Sequence, residues 1–129
     1  MNREILFKAK RKDNGKWVEG YYRRIPCMGM LEHYIMPRNP KNGMEQYAID
    51  PDTLCQYTGL TDKNGKKIWE NDILNCGMKL RVSWHTFKAS WVLSKKGWMY
   101  NHFFGESVEP EDVEVIGNIF DNADLLEVE

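Results

Sequence analysis

Two stretches of this chain, Asp13-Asn14-Gly15-Lys16-Trp17 and Lys63-Asn64-Gly65-Lys66 with Ile68-Trp69 behind it, place Asn-Gly between runs of alternating apolar residues. Before the first, Ile5, Phe7 and Ala9 alternate with Leu6, Lys8 and Lys10; after it come Trp17, Val18, Tyr21 and Tyr22. Both residues of Asn-Gly tolerate the positive φ that a type I′ turn demands, so this pattern predicts antiparallel hairpins. The likeness of the two stretches is too limited for a repeat array.

The rest of the sequence continues that punctuation. Pro26, Pro37 and Pro40 forbid a long helix across residues 25–43 and oppose most central strands there, which predicts an irregular Pro/Gly/Met-rich arm with one short strand near 31–36. Residues 47–57 read as extended, and Thr58-Gly59 as a turn. Further on, Leu80, Val82 and Trp84 alternate with Arg81, Ser83 and His85, residues 89–93 and 97–103 suit a pair of strands, and Val113, Val115, Gly117 and Ile119 suit a last one. Asn122 precedes Leu125 and Leu126 and reads as the cap of about one helical turn. Short strands with turns at roughly 8–12-residue intervals indicate a small sandwich or barrel. The expected fold is mainly β, with an N-terminal hairpin-and-arm lobe over 1–55. A C-terminal SH3-like small barrel is expected within 56–129, its strands over 56–121, unless both lobes form one compact unit.

Bulk properties exclude several classes. With 129 residues, 42% hydrophobic and 29% charged, the chain has the size and composition of one folded domain or two small lobes. The 18 basic and 19 acidic residues give no global footprint for nucleic acid. Charge is nonetheless uneven: Lys and Arg outnumber Asp and Glu over residues 1–26, while residues 106–129 are acidic with no Lys or Arg, as expected where two ends or two subunits face each other. Cys27, Cys55 and Cys76 are widely spaced and no secretory signal accompanies them, which predicts reduced thiols in a cytoplasmic protein. No run of 18 apolar residues occurs, so no membrane role is expected.

Candidate chemistry is sparse. Cys27 and His33 lack metal-ligand spacing, and neither phosphate-binding glycine motif occurs, so no metal or cofactor is expected. A Cys55 nucleophile with His85 or His102 as base has no support beyond residue type. Glu70 and Asp72 could pair as acid and base on a strand, but Asp72 reads better as an acceptor for local backbone amides in a turn. One recognition surface stands out. Lys88, Trp91, Lys95, Lys96, Trp98, Tyr100 and Phe103, next to Trp84, His85, Phe87 and His102, interleave aromatic rings with cations, a composition that stacks the bases of single-stranded nucleic acid. The competing reading makes the same rings the core of their lobe, and it is the favoured one.

Residues 3–9 with 15–21, the central run 56–74, and the closing Val115-Ile116-Gly117-Asn118-Ile119-Phe120-Asp121-Asn122-Ala123-Asp124-Leu125-Leu126 resemble, in order, the YopX family of phage and prophage proteins. The resemblance spans nearly the whole chain and brings no catalytic residues with it, because the family's function is unknown. It implies a mainly β protein of phage or prophage origin, cytoplasmic in the bacterial host and homo-oligomeric. Asn71 departs from the pattern where Gly is expected, a change that left-handed geometry tolerates. In the central run, Gly59, Asn64 and Gly65 read as turn residues, Trp69 as an anchor and Asp72 as a local brace, so that the run joins two β lobes. The expected function is non-enzymatic: binding, through self-association and contact with a host or phage macromolecule. The alternative is a single-stranded nucleic-acid-binding module using the face from Trp84 to Phe103.

Overall fold

The computed structural model describes residues 4–41, 43, 45–86, 89–94, 102–103 and 108–126, the last-but-one pair by backbone only. The elements are β1 (Phe7–Lys10), β2 (Trp17–Cys27), β3 (Met30–Pro37), β4 (Tyr47–Ala48), β5 (Cys55–Thr61), β6 (Lys67–Trp69), β7 (Asp72–Asn75), β8 (Lys79–His85), β9 (Ser90–Ser94), β10 (His102–Phe103) and β11 (Glu114–Asn118). Short 3₁₀ turns cover Pro51–Thr53, Pro110–Asp112 and Ala123–Leu126. The protein is mainly β, in two antiparallel sheets with almost no helix. The chain divides into two compact units, Met1–Tyr57 and Thr58–Glu129, the division falling inside β5.

In the first unit the strand order is β4-β3-β2-β1-β5. Alternation along β1 sends Phe7 and Ala9 to one side, where they pack with Ile35, Ile49, Val18, Tyr22 and Leu54. The short strand expected near 31–36 is present as β3, but it is not set in an irregular arm: β2 and β3 form a regular ribbon, in register from Gly20 opposite Pro37 to Cys27 opposite Met30. Pro26 is tolerated because β1 pairs with β2 only as far as Gly20, leaving that end of β2 with one open edge where a missing N–H breaks no ladder. The β1–β2 connection is not type I′. Gly15 alone takes positive φ, at 71°, and its N–H donates to the Arg11 carbonyl at 2.9 Å, closing a longer loop. The stretch 47–57 is not continuously extended either. Asp50 accepts from the Asp52 N–H at 3.0 Å and Pro51 opens a 3₁₀ turn before β5 begins.

The second unit has the order β10-β9-β8-β7-β11, and β6 pairs with β5. Its core gathers Ile68, Leu74, Leu80, Val82, Trp91, Leu93 and Val113. β5 continues through Thr58-Gly59 rather than turning there, with Gly59 at a left-handed φ of 88° within the strand. Only Gly65 of the second Asn-Gly pair is left-handed, at 80°, and its N–H donates to the Asp62 carbonyl at 3.0 Å. Trp84 continues the Leu80–Val82 side of β8 but is 45% exposed, past the end of the core. Asn122 precedes the expected terminal turn and its carbonyl accepts the Leu125 N–H at 2.9 Å, but its side chain turns back to accept the Asn118 N–H at 3.2 Å and does not cap that turn. A closed SH3-like barrel is not seen among the described residues, whose strands form open arrays.

Gly20 sets how closely β2 and β3 approach, since a Cβ there would lie 1.9 Å from the Met36 carbonyl oxygen. Gly20→Ala is expected to cost about 2 kcal/mol or more, because rigid backbone must move to admit the methyl group. Urea unfolding should show a clearly lowered midpoint; an unchanged one would refute the close approach.

Candidate functional site

In the first unit the end of the β2–β3 ribbon is the feature that packing does not explain. β4 pairs with β3 at Tyr34 and Ile35, so past His33 the two strands have no third strand beside them among the described residues. Residues 25–31 contain no charge. Met28 is 97% exposed, Met30 74% and Leu31 52%. The turn between the strands is of the two-residue kind with both centres left-handed, Met28 at φ 50° and Gly29 at 81°. Met in that conformation costs on the order of 1 kcal/mol and gains no burial in return.

The base of the ribbon is well fixed. Tyr22 and His33 stack with ring centroids 5.9 Å apart, and the Tyr22 hydroxyl lies 2.5 Å from His33 Nδ1. Burial raises the Tyr22 pKa, and Arg24 only partly offsets this. On the opposite side, the Tyr34 hydroxyl donates to the Glu32 carboxylate. That bond and a second from Cys27 hold Glu32 below the usual carboxylate range. Hydrogen bonding to the same carboxylate pushes the Cys27 thiol up, which favours its protonated form. Elsewhere in this unit Lys8 and Lys10 stand over the Trp17 ring, 4.6 and 5.5 Å from its centroid.

In the second unit the central run is arranged around two buried carboxylates. Asp72 accepts the Trp69 N–H at 2.8 Å, the local bracing role expected of it. Between them Asn71 adopts φ 71°, and its side chain accepts from the Arg81 guanidinium at 2.8 Å. Glu70 and Asn71 form the connection from β6 to β7, so Glu70 and Asp72 do not share a strand face. Ile68, Trp69 and Ile73 are buried as anchors. The residue that sequence reasoning missed is Asp62. One oxygen accepts from the N–H groups of Asn64 and Lys66, at 2.8 and 2.9 Å, and the other from Val115 at 3.0 Å. Asp ahead of a turn was the available signal, but Val115 lies 53 residues away. Burial works against ionisation of Asp62, yet the amides of Val115, Lys66 and Asn64 outweigh it and hold the carboxyl below the ordinary aspartate range.

The aromatic and basic surface is placed only in part. Trp91 lies in the core, in edge contact with Trp84 at 5.0 Å between centroids. Phe103 sits in β10, while Lys88, Lys95, Lys96, Trp98 and Tyr100 lie outside the described residues. Cys55 belongs to the first unit, where its thiol donates to the Thr53 carbonyl at 3.3 Å, and His85 belongs to the second. Among the described residues no three His, Cys, Asp or Glu side chains are grouped to hold a metal ion. Nor is any helix among the described residues long and apolar enough to cross a membrane.

A family model described as YopX protein matches residues 6–127. The chain belongs to the YopX family. Its fold is similar to that in the crystal structure of protein EF1440 from Enterococcus faecalis, with a TM-score of 0.56 and 20% identity over 98% of this chain and 100% of that one. No curated protein matches it. Within the YopX match, Asp62 and the 114–118 strand it holds lie in the second and third of the three stretches that carry the sequence resemblance.

Replacing Asp62 by Asn removes the charge and turns an amide group toward backbone donors, at an expected cost of about 2–3 kcal/mol near neutral pH. The folded-state pKa of Asp62 lies below the unfolded one, so its contribution is complete above the ordinary aspartate range and is lost as pH falls through the folded value. Denaturant unfolding of wild type and Asp62→Asn should therefore converge on acidification. A gap that stays constant down to strongly acidic pH would contradict the assignment.

Proposed function

We propose that this protein is a phage- or prophage-derived accessory protein of the bacterial cytoplasm that acts without catalysis, by binding. It associates with itself and contacts a host or phage macromolecule. The observation that carries this reading is the end of the β2–β3 ribbon, a charge-free loop with Met28 97% exposed in a left-handed conformation. Exposed apolar surface held in place at a local energetic cost is what a contact element requires. The YopX match over residues 6–127 supports the origin only through the sequence resemblance to that family of phage and prophage proteins. We read the second unit as an SH3-like small barrel, supported by the return of β11 to lie beside β7, the first strand of the β7-β8-β9-β10 meander.

A second reading makes the face from Trp84 to Phe103 a single-stranded nucleic-acid site, favoured by the exposure of Trp84 and disfavoured by the place of Trp91 in the core. Salt separates it from the first: polyanion affinity falls steeply with ionic strength.

Replacing Met28, Met30 and Leu31 together by Ser removes the apolar end without touching a buried residue. Two differently tagged copies co-expressed in lysogenic cells should capture each other and shared macromolecules as wild type, and lose them in the triple variant. Undiminished capture by the variant, or a turnover abolished by one point substitution, would sink the proposal.

A further inference from the structure

Strand alternation divides the ribbon into two unlike faces. Tyr22, Arg24, His33 and Ile35 lie on the side that leads into the core of the first unit. Tyr21, Arg23, Ile25 and Cys27 of β2 lie on the other side, with Met30, Glu32 and Tyr34 of β3 beside them. On this outer side Tyr21, Arg23, Cys27, Met30 and Glu32 are all exposed. Its pattern is a cation on one strand, an anion on the other, and apolar side chains between: Ile25 is registered with Glu32, Arg23 with Tyr34, and Cys27 with Met30.

We infer that this outer face, built by Tyr21, Arg23, Ile25, Met30 and Glu32, is the surface on which a second copy of the chain docks. The inference rests on the self-association proposed above and names its site. A twofold axis along the ribbon lays β2 of one copy over β3 of the other, and every contact then occurs twice. Arg23 of each copy comes to rest over the strand that carries Glu32 of the other, one strand repeat from its level, about 7 Å and within reach of an arginine side chain. Cys27 of each copy faces Met30 of the other, and Ile25 lies at the level of Glu32, between that contact and Arg23. The charges are thus complementary to a copy of themselves, which is the condition an isologous contact has to meet.

The same charges argue against the other occupants. A nucleic acid or an anionic lipid surface would meet the Glu32 carboxylate beside Arg23, and the Tyr34 hydroxyl bond keeps that carboxylate ionised. A wholly apolar groove would leave both charges buried without partners. A ribbon face of this width is small against the roughly 800 Å² per partner of a standard interface, so the association is expected to be concentration-dependent.

The experiment is sedimentation velocity over a wide concentration range on wild type, Arg23→Glu, Glu32→Arg and the double exchange, with circular dichroism to confirm folding. Both residues are exposed, so the fold is expected to survive. Wild type should self-associate, each single exchange should weaken association about tenfold or more, and the double exchange should restore it. A short bismaleimide should join wild-type copies through Cys27, and not copies of Cys27→Ser. Wild type that stays monomeric at every concentration would overturn both this inference and the self-association beneath it. Association untouched by either single exchange would overturn the docking face and leave self-association standing. Weakening that the double exchange fails to restore would overturn the Arg23 and Glu32 pairing. A monomeric chain whose binding to single-stranded DNA is lost in Arg23→Glu would give the face to nucleic acid instead.

Discussion

The second unit depends on one buried carboxylate. β11 is last in sequence, and its place beside β7 closes a loop of about forty residues, whose entropic cost must be met by contacts at the closure point. Asp62 supplies them. It fixes its own turn through the amides of Asn64 and Lys66, and with its other oxygen it takes the amide of Val115. Next to it the Lys63 N–H donates to the carbonyl of Val113, whose side chain is buried in the core. Turn, last strand and core are therefore ordered by the same few bonds, and a charged acceptor is stronger in this role than a neutral one.

The first unit answers a different problem. Its sheet has a long central ribbon flanked by strands of four residues or fewer, apart from β5, so much of β2 and β3 has only one neighbour. Two strands alone are marginal in water. The ribbon is held at its base, by Gly20 letting the backbones approach, by Tyr22 stacked on His33, and by Ile35 in the core. Toward the turn these supports end. What remains there is apolar side chain without cover.

This contrast explains which parts were legible in the sequence. The mainly β class and most strands of the second unit were, because alternation and turn residues act locally: Leu80, Val82 and Asp72 took the roles their spacing suggested. Turn types were less so. The two Asn-Gly pairs formed longer loops with only the glycine left-handed, whereas the two-residue left-handed turn formed at Met28-Gly29, where no side chain announced it. Within 25–37 the strand near 31–36 is legible, whereas the extension of β2 through Pro26 is not, because Pro breaks a ladder only where both strand edges are paired. Asp62 escaped notice because its role depends on an amide far along the chain, and Trp84 seemed internal because alternation gives a side of the strand and not the extent of the core.

The candidate site was hidden for a related reason. An exposed contact element is recognised by what is missing around it, and sequence shows composition without showing cover. Met28, Met30 and Leu31 in a list of residues look like material for a core. The ends of β1 and β4 reveal that no strand among the described residues reaches them. A core reading of these side chains would require a neighbouring element to bury them, and a loop reading would favour Asn or Gly where Met28 takes its left-handed φ. The ribbon satisfies neither. Under the proposed binding function the apolar end is half of a contact, and the energetic cost of Met28 is set against the burial a partner would supply.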